Sequence, residues 1–393
     1  MSSPGSKRLG PEAVAAWQQR LERLRRAMAD HDVDTLLVSH ETDIRYLTGF
    51  VGHDSVLLVL GDGATVITDA RYDEFLDPWR EQGFIDVRMG VRHRLEESVR
   101  KVARIRMTGR IGFQAELLTV AGLSKLAAAV GKYCLVDTRG LVSTLRMRKD
   151  EQEIAAIERA LGIQQPAMKA ALDQLVLGMT ERQFAAVLEF EMRSRGADGL
   201  SFDTIIAAGT NSSVIHYATG SAPIEPGVLL VDCGAIADGY CSDLTRTVGV
   251  GRMPPPIRKI YEVVLDAQRA AIEACAPGKT CAEIDAVARG VIEAAGHGEH
   301  FTHGLGHGLG LDIHEEPYFN ELSTKVVLEP GMVMTVEPGI YVPGTGGVRV
   351  EDDVLITDDG CRVLSDYPKD LGSAVIEPAT DEAEVSLARG PRP

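Results

Sequence analysis

The sequence predicts an α/β (α+β) fold in two parts. A small amino-terminal α/β domain is expected over residues 1–148, and a larger domain with an internal repeat over residues 149–371. Three observations carry this prediction: helix-type and strand-type runs alternate in the first third, a charged segment follows them, and two later stretches match at an offset of 100 residues. The last segment, 372–393, lacks sustained periodicity, and we expect a mobile tail there.

The first part begins with a predicted helix and continues with short β-type runs. Apolar residues recur at helical spacing near the start of the chain: Val14, Trp17, Leu21, Leu24 and Met28. The runs DTLLVS (34–39), SVLLVL (55–60) and ATVITD (64–69) are typical of strands, and Gly-Asp-Gly joins the last two as a hairpin. The charged segment LRMRKDEQEI (145–154) then opens a long helical run, which places the boundary near Lys149.

The second part contains two copies of one unit. Residues 178–196 align with residues 278–296, and each stretch has a Thr N-cap, a Gln or Glu three residues later, and a terminal Gly. This pattern predicts two equivalent capped helices. The match continues downstream, since His216 aligns with His314 and the run EPGVLLVDCG aligns with EPGMVMTVEPG.

Acidic residues recur at the same places in both copies. Asp232 and Asp243 lie eleven residues apart in the first copy, and Glu337 and Glu351 lie fourteen apart in the second. A duplicated unit that folds back on its twin would bring the four acids together at a pseudo-twofold axis. Asp232 and Glu337 each end an apolar β-type run, where an isolated buried charge would cost several kcal/mol or more. Two divalent metal ions would neutralise four such acids and form a hydrolytic centre.

Composition excludes several classes of function. The formal charge of −16 argues against general binding of nucleic acid or of an anionic membrane, and no run of eighteen apolar residues occurs. The six cysteines form no CxxC pair, which is typical of free thiols in a reducing compartment, so a cytoplasmic location is expected.

Histidines cluster in FTHGLGHGLGLDIHEEP, residues 301–317. His303 and His307 have the spacing of a zinc-binding helix. Four glycines between 304 and 310 argue against a helix, because each Gly costs roughly 1 kcal/mol relative to Ala. We expect an extended or looping backbone that other atoms approach closely. One imidazole added to four carboxylates makes an oxygen-rich site, which suits manganese, cobalt, iron or zinc.

Taken together, these motifs resemble the metallopeptidases of the pita-bread fold (family M24), the group of prolidase, Xaa-Pro aminopeptidase and methionine aminopeptidase. The motifs are VDCGA, SDLTRT, THGLGHGLGLDIHEEP, TVEPGIY and GVRVEDDVLIT. The resemblance implies that Asp232 and Asp243 bind one metal ion, that Asp243 and Glu351 bridge to a second, and that His307 and Glu337 complete the second site. The expected cofactor is two divalent ions per chain, with manganese first and cobalt or zinc as alternatives, and the expected nucleophile is a bridging hydroxide.

The same resemblance assigns roles to side chains around the metals. His303 and His314 would bond the scissile carbonyl or the developing oxyanion. Glu337 would accept and return a proton. His216 would help to hold the substrate, and Arg349 would bind a carboxylate or tie the subsites together.

The amino-terminal stretch DTLLVSHETDIRYLTGF resembles the domain that precedes the catalytic domain in creatinase, prolidase and Xaa-Pro aminopeptidase. It therefore favours an Xaa-Pro dipeptidase or aminopeptidase, acting on a peptide with proline at the second position, and a homodimer. A creatinase-like hydrolase is disfavoured, because all five ligand positions are filled. A pure binding module is disfavoured on the same ground, whereas a metal-dependent lyase acting on a small sulfonium acid stays open.

Overall fold

The computed structural model describes residues 9–90, 95–105 and 109–379. The chain divides between Arg146 and Met147 into two compact units. Both units combine helices and strands, which confirms the predicted α/β class. None of the helices in the described ranges is long and apolar enough to cross a membrane.

The amino-terminal unit is built on one mixed sheet. Its helices and strands, in chain order, are α1 (Pro11–Asp30), β1 (Thr35–Val38), α2 (Glu41–Thr48), β2 (Val56–Leu60), β3 (Gly63–Thr68), α3 (Asp77–Gln82), β4 (Asp86–Met89), α4 (Leu95–Ile105), β5 (Ile111–Phe113), α5 (Val120–Val130), β6 (Leu135–Asp137) and α6 (Leu141–Arg146). The strand order is β4-β3-β2-β1-β5-β6. The predicted first helix, the first three strands and the hairpin of β2 and β3 are confirmed.

The second unit contains the two predicted copies. The first copy comprises α7 (Glu151–Asp173), α8 (Glu181–Ser194), β7 (Gly199–Leu200), β8 (Ile205–Ala208), β9 (Gly227–Cys233), β10 (Ala235–Ala237), β11 (Tyr240–Cys241) and β12 (Leu244–Val250). The second comprises α9 (Pro255–Ala274), α10 (Cys281–Ala294), β13 (Gly306–Gly308), β14 (Glu315–Phe319), β15 (Val333–Val336), β16 (Gly339–Val342), β17 (Gly346–Arg349), β18 (Asp352–Ile356) and β19 (Cys361–Val363). A short strand, β20 (Val375–Ile376), follows.

The two copies begin their second helix in the same way. Thr180 and Thr280 each complete a capping box at the start of α8 and α10. Ahead of each cap, Gly178 and Gly278 adopt φ angles of 83° and 87°, which favour glycine. Their N–H groups donate to the carbonyls of Ile224 and Leu328. The repeat read from the sequence is therefore present in the backbone.

Each copy packs its helices on its own pair of antiparallel strands. In the first copy β9 pairs with β12 within the sheet β20-β12-β9-β8, and in the second β15 pairs with β18 within the sheet β14-β13-β15-β18-β19. The core of the first copy joins α8 to β9 through residues such as Leu188 and Val231, and that of the second joins α10 to β15 through Ile284 and Met334. Removing such side chains from water drives this packing.

The expected tail, residues 372–393, needs a correction over its first part. Ala374 is buried, and β20 pairs in parallel with the end of β12, Gly249 opposite Val375. The N–H of Gly249 also donates to the carbonyl of Ala374. Residues 372–379 are thus part of the second unit, because a sheet edge satisfies their backbone groups. Residues 380–393 lie outside the described residues.

Candidate metal centre

The four predicted acids lie at equivalent ends of the two strand pairs. Asp232 is the sixth residue of β9, opposite Thr245 of β12, and Asp243 directly precedes β12. Glu337 directly follows β15, and Glu351 directly precedes β18. Because antiparallel partners bring the end of one strand beside the start of the next, the two acids of each copy lie at the same end of their strand pair.

Three of the acids converge closely. One carboxylate oxygen from each of Asp232, Asp243 and Glu351 lies within 4.8 Å of the others. These residues are buried, with 8%, 5% and 1% of their surfaces exposed. Within the part of the chain that the structure describes, one oxygen of each carboxylate has no hydrogen-bond partner. Buried carboxylate oxygens are costly without a partner, so this cluster fits a bound divalent cation.

Burial and mutual repulsion shift the titration of these acids. Burial raises the pKa of Asp243 well above its usual value, and the charges of Glu351 and Asp232 raise it further. Burial likewise raises the pKa of Glu351 well above its usual value, with Glu337 and Asp232 adding to the shift. A cation between the carboxylates would reverse this effect, because it favours the ionised forms.

His307 connects the cluster to the fourth acid. Its Nε2 lies 3.3 Å from Oε1 of Glu337 and 3.7 Å from Oδ2 of Asp243. Its Nδ1 lies 3.1 Å from the carbonyl oxygen of Gly308, an arrangement that directs Nε2 towards the acids. Burial alone would raise the pKa of Glu337, but the hydrogen bond and charge of His307 hold it at about 2.

The glycines around His307 allow neighbouring strands to approach it. His307 lies in strand β13, which confirms the extended backbone predicted from the sequence in place of a helix. A Cβ on Gly306 would lie 2.1 Å from the carbonyl oxygen of Thr335, and one on Gly308 would lie 2.6 Å from that of Glu316. The hydroxyl of Thr335 accepts the N–H of His307 and donates to Glu337 Oε1. Glycine is therefore required where β14 and β15 press against the histidine.

All nine predicted site residues line one cavity of about 610 Å³. They are Asp232, Asp243, His307, Glu337, Glu351, His303, His314, His216 and Arg349. The His314 ring stands 4.4 Å from that of His307 at an interplanar angle of 83°. His303 contacts the Gly304 carbonyl oxygen through Nδ1, at 2.7 Å, and the Tyr341 hydroxyl through Nε2, at 3.0 Å. Burial lowers the pKa of both His303 and His314.

Arg349 is bonded into the wall of the cavity. Its Nη2 donates to Oδ2 of Asp232 at 2.5 Å, and its Nη1 donates to the hydroxyl of Tyr341 at 2.8 Å. Its Nε donates to the hydroxyl of Thr245 at 3.0 Å, and that hydroxyl donates to Glu351. The guanidinium therefore links acids from both copies.

Sequence reasoning missed Tyr341, Thr245 and Thr335, although all three fall within the quoted motifs. Neither Tyr nor Thr is a metal ligand of the expected class, so only their contacts identify them. Burial raises the pKa of Tyr341 to about 12, and its hydroxyl stays protonated between Arg349 and His303.

A buried acid of the first copy holds the loop that carries His216. Glu181, the first residue of α8, is 0% exposed. Its Oε1 accepts from the Ala208 N–H, and its Oε2 accepts from the Tyr217 hydroxyl at 2.8 Å and the Gly220 N–H at 3.1 Å. His216 itself is exposed to the cavity. The sequence displayed Glu181 only as an ordinary first-turn acid.

Comparison with known proteins places the chain among peptidases over both units. Residues 155–358 match the family model of metallopeptidase family M24, and residues 20–148 match the creatinase/prolidase N-terminal domain. An Xaa-Pro dipeptidase of Pyrococcus furiosus is 36% identical over 359 residues, which cover 90% of this chain and 99% of that protein. An Xaa-Pro dipeptidase from Bacillus anthracis superposes with a TM-score of 0.86 at 36% identity, covering 92% of this chain and 100% of that structure. An X-Pro aminopeptidase from Thermotoga maritima superposes with a TM-score of 0.81 at 32% identity, covering 90% of this chain and 99% of that structure.

Proposed function

Because this chain belongs to metallopeptidase family M24, we propose that it hydrolyses the bond before proline in dipeptides or short peptides with two bound divalent metal ions. The predicted fold, a creatinase/prolidase-like domain followed by a pita-bread domain, is confirmed by the same comparisons. The observation that carries the proposal is the buried cluster of Asp232, Asp243 and Glu351 with mutually facing oxygens. We assign the catalytic domain to the predicted range 149–371 together with residues 372–379, which β20 joins to it.

The donor set supports two ions. We propose that Asp232 and Asp243 hold one ion, that Asp243 and Glu351 bridge to the other, and that His307 and Glu337 complete the second site. The orphaned oxygens of the three clustered acids fit this assignment, since a cation gives each of them a partner. Carboxylates with one imidazole favour manganese, with cobalt and zinc as alternatives. When bound, such ions supply a water of lowered pKa and polarise the peptide carbonyl.

The protein groups around that centre have separate tasks in the proposal. Glu337 Oε1 accepts a proton from the attacking water and returns it to the leaving proline nitrogen. His314 donates to the developing oxyanion. His303 bonds the scissile carbonyl through Nε2, which then gives up its contact with the Tyr341 hydroxyl. His216 holds the substrate from its exposed loop.

The cavity wall supports a proline-containing substrate. Phe202, Ile205 and Ile215 line it and offer apolar surface to a pyrrolidine ring. The relatives named Xaa-Pro dipeptidase and X-Pro aminopeptidase support the same class. The nitrogens of Arg349 already bond Asp232, so its role in tying the subsites together is favoured over direct binding of a substrate carboxylate.

Two finer predictions accompany the proposal. All six cysteines are free thiols, which supports the predicted cytoplasmic location. The predicted homodimer is tested by measuring the molar mass of the purified protein by light scattering, and the mass of a monomer would contradict the prediction.

The direct experiment uses metal-stripped protein refilled with manganese, cobalt or zinc. Gly-Pro, Ala-Pro-Ala and Met-Ala-Ala are the substrates, and amine release is measured. We expect the Xaa-Pro substrates to be preferred over Met-Ala-Ala by about 100-fold or more in kcat/KM, because a pocket shaped for one side chain discriminates by about that factor. Cleavage of Gly-Pro alone identifies a dipeptidase, and cleavage of Ala-Pro-Ala an aminopeptidase. Failure to cleave either with any metal refutes the proposal.

A further inference from the structure

An ion pair on α10 stands outside the roles assigned so far. Arg289 donates to both carboxylate oxygens of Asp285, through Nε at 2.9 Å and Nη2 at 3.1 Å. Asp285 is 0% exposed and the Arg289 side chain 17%. The two residues are four apart on one helix, a spacing that usually gives a weak surface pair. Burial sets this pair apart, because two charges leave water only where further hydrogen bonds compensate them.

Those further bonds go to the segment that leads into the histidine strand. Arg289 donates through Nη1 to the Phe301 carbonyl and through Nη2 to the His303 carbonyl, each at 3.0 Å. Asp285 Oδ1 accepts the N–H of Leu305 at 3.0 Å. The backbone is thus held at His303 itself and two residues to either side.

The pair also fixes side-chain packing around His303. The Arg289 guanidinium lies 4.4 Å from the centre of the Phe301 ring, a cation–π contact. The Phe301 ring meets the His303 ring edge-on at 5.0 Å and 86°. The Nε2 atom of the His303 ring also contacts the Tyr341 hydroxyl at 3.0 Å. The imidazole plane is therefore set between a ring held by Arg289 and a hydroxyl held by Arg349.

A second connection leads to the ligand set. The carbonyl of Leu305 accepts the N–H of Glu337 at 2.9 Å. One residue, Leu305, thereby joins the Asp285 carboxylate on one side to the backbone of Glu337 on the other. A displacement of Asp285 would therefore move Leu305 and, through it, the backbone of Glu337, the acid proposed to transfer the proton.

We propose that Asp285 and Arg289 are positioning residues that orient His303 and the backbone of Glu337 for the reaction. This inference rests on the proposed function for its kinetic consequence, but the geometry of His303 is measurable without activity. Helix packing alone does not require the pair, since Ile284, Ala288 and Ile292 already bury α10 in the core. A planar fork that reaches two carbonyls and a carboxylate is a property of arginine.

The test compares Arg289→Met, Arg289→Lys and Asp285→Asn with Arg258→Met. Arg258 forms an exposed pair with Glu262, four residues away on α9, and is the matched control. Three quantities are measured: kcat and KM for Ala-Pro-Ala and metal content on manganese-loaded protein, and the ring ¹H–¹³C resonance of His303 on protein loaded with diamagnetic zinc, because Mn²⁺ would broaden it. The resonance is assigned by its loss in His303→Gln.

We expect Arg289→Met to lower kcat by about 10- to 100-fold, because small misplacements of a group at the reacting bond have effects of that size. KM should stay within about threefold, metal content should be unchanged, and the His303 resonance should move. Arg289→Lys should recover part of kcat, since an ammonium keeps the charge but reaches fewer acceptors. Arg258→Met should match the wild type in all three readings.

The inference is overturned if Arg289→Met keeps both kcat and the His303 resonance at the control values. If Arg289→Met does not fold, the same readings on Arg289→Lys and Asp285→Asn decide. If the wild type cleaves no Xaa-Pro peptide while the His303 resonance still moves, the proposed function fails and the positioning role stands. A uniform loss of stability with normal kcat for the folded fraction would also refute positioning.

Discussion

Replacing Asp243 by Asn is expected to stabilise the protein in the absence of divalent metal and to lose that advantage when metal is bound. Asp243 is buried, and its carboxylate faces those of Asp232 and Glu351 within 4.8 Å. Its pKa is raised well above the usual value by burial first and by these neighbours second. A folded-state pKa above the unfolded value means that stability is present at low pH and is lost as the pH rises through the folded pKa. Asn carries no such penalty at any pH.

The magnitudes follow from the burial and from mass action. An uncompensated buried charge costs roughly 3–5 kcal/mol, so in chelator at pH 8 the Asn variant should be more stable than the wild type by on the order of 2 kcal/mol. At a metal concentration of 100 Kd, binding stabilises by about 2.7 kcal/mol. If losing a ligand weakens binding about 100-fold, about 2 kcal/mol of that is lost, so the two effects cancel and the variant and the wild type should differ little in stability with metal. For a unit of 150–250 residues, the expected advantage of about 2 kcal/mol in chelator corresponds to a rise of about 4–8 °C in Tm.

Thermal unfolding followed by circular dichroism, with chelator and with manganese, measures the difference between variant and wild type under both conditions. Asp238→Asn is the control, because Asp238 is an exposed turn residue with φ of 49°, a conformation that Asn also tolerates. At pH 5 the difference in chelator should shrink, since more of the Asp243 carboxyl is then protonated. Destabilisation of Asp243→Asn by the same amount in chelator and in manganese would refute the assignment of Asp243 to a cation site.

Two further substitutions test the walls of the site. Arg349→Lys should weaken metal binding by about 10-fold in a chelator competition, because the acid Asp232 loses a donor that orients it; unchanged affinity would count against this coupling. Glu181→Gln should lower the free energy of unfolding in urea by about 1–3 kcal/mol, because the amide keeps one acceptor oxygen and turns the other into a donor, so one of the part-buried N–H groups of Ala208 and Gly220 loses its acceptor. It should also raise KM severalfold through the loosened His216 loop, and an unaltered KM would separate that loop from substrate binding.

The sequence was sufficient to predict the elements that repeat. The capped helices, the paired strands and the acids at their ends follow from local patterns, and duplication exposes them by showing each pattern twice. Gly306 and Gly308 were readable as sites of close approach because their cost in a helix is known. Here local chemistry and global fold agree, which is the condition under which sequence reasoning succeeds.

What the sequence did not reveal depends on contacts between distant segments. Asp285 and Arg289 have the spacing of an ordinary helical ion pair, and only the fold shows that their partners are backbone groups near His303. Similarly, Val375 and Ile376 give too short a run to predict a strand, and the edge of β12 supplies the hydrogen bonds that order them. No local pattern encodes which other segment supplies the partners, whether that segment lies 12–20 residues away, as for this ion pair, or more than 100, as for β20.

The difference between the copies explains how a duplicated unit can act on a directional substrate. Two identical halves would present the same groups to either end of a peptide, yet the proposed cleavage before proline requires a site with distinct ends. Eleven residues separate the acids of the first copy and fourteen those of the second. The longer connection forms the hairpin of β16 and β17, which carries Tyr341 and Arg349. Arg349 reaches across to Asp232 of the first copy at 2.5 Å, so the longer hairpin both ties the halves together and adds a side chain to the cavity wall that the first copy does not match.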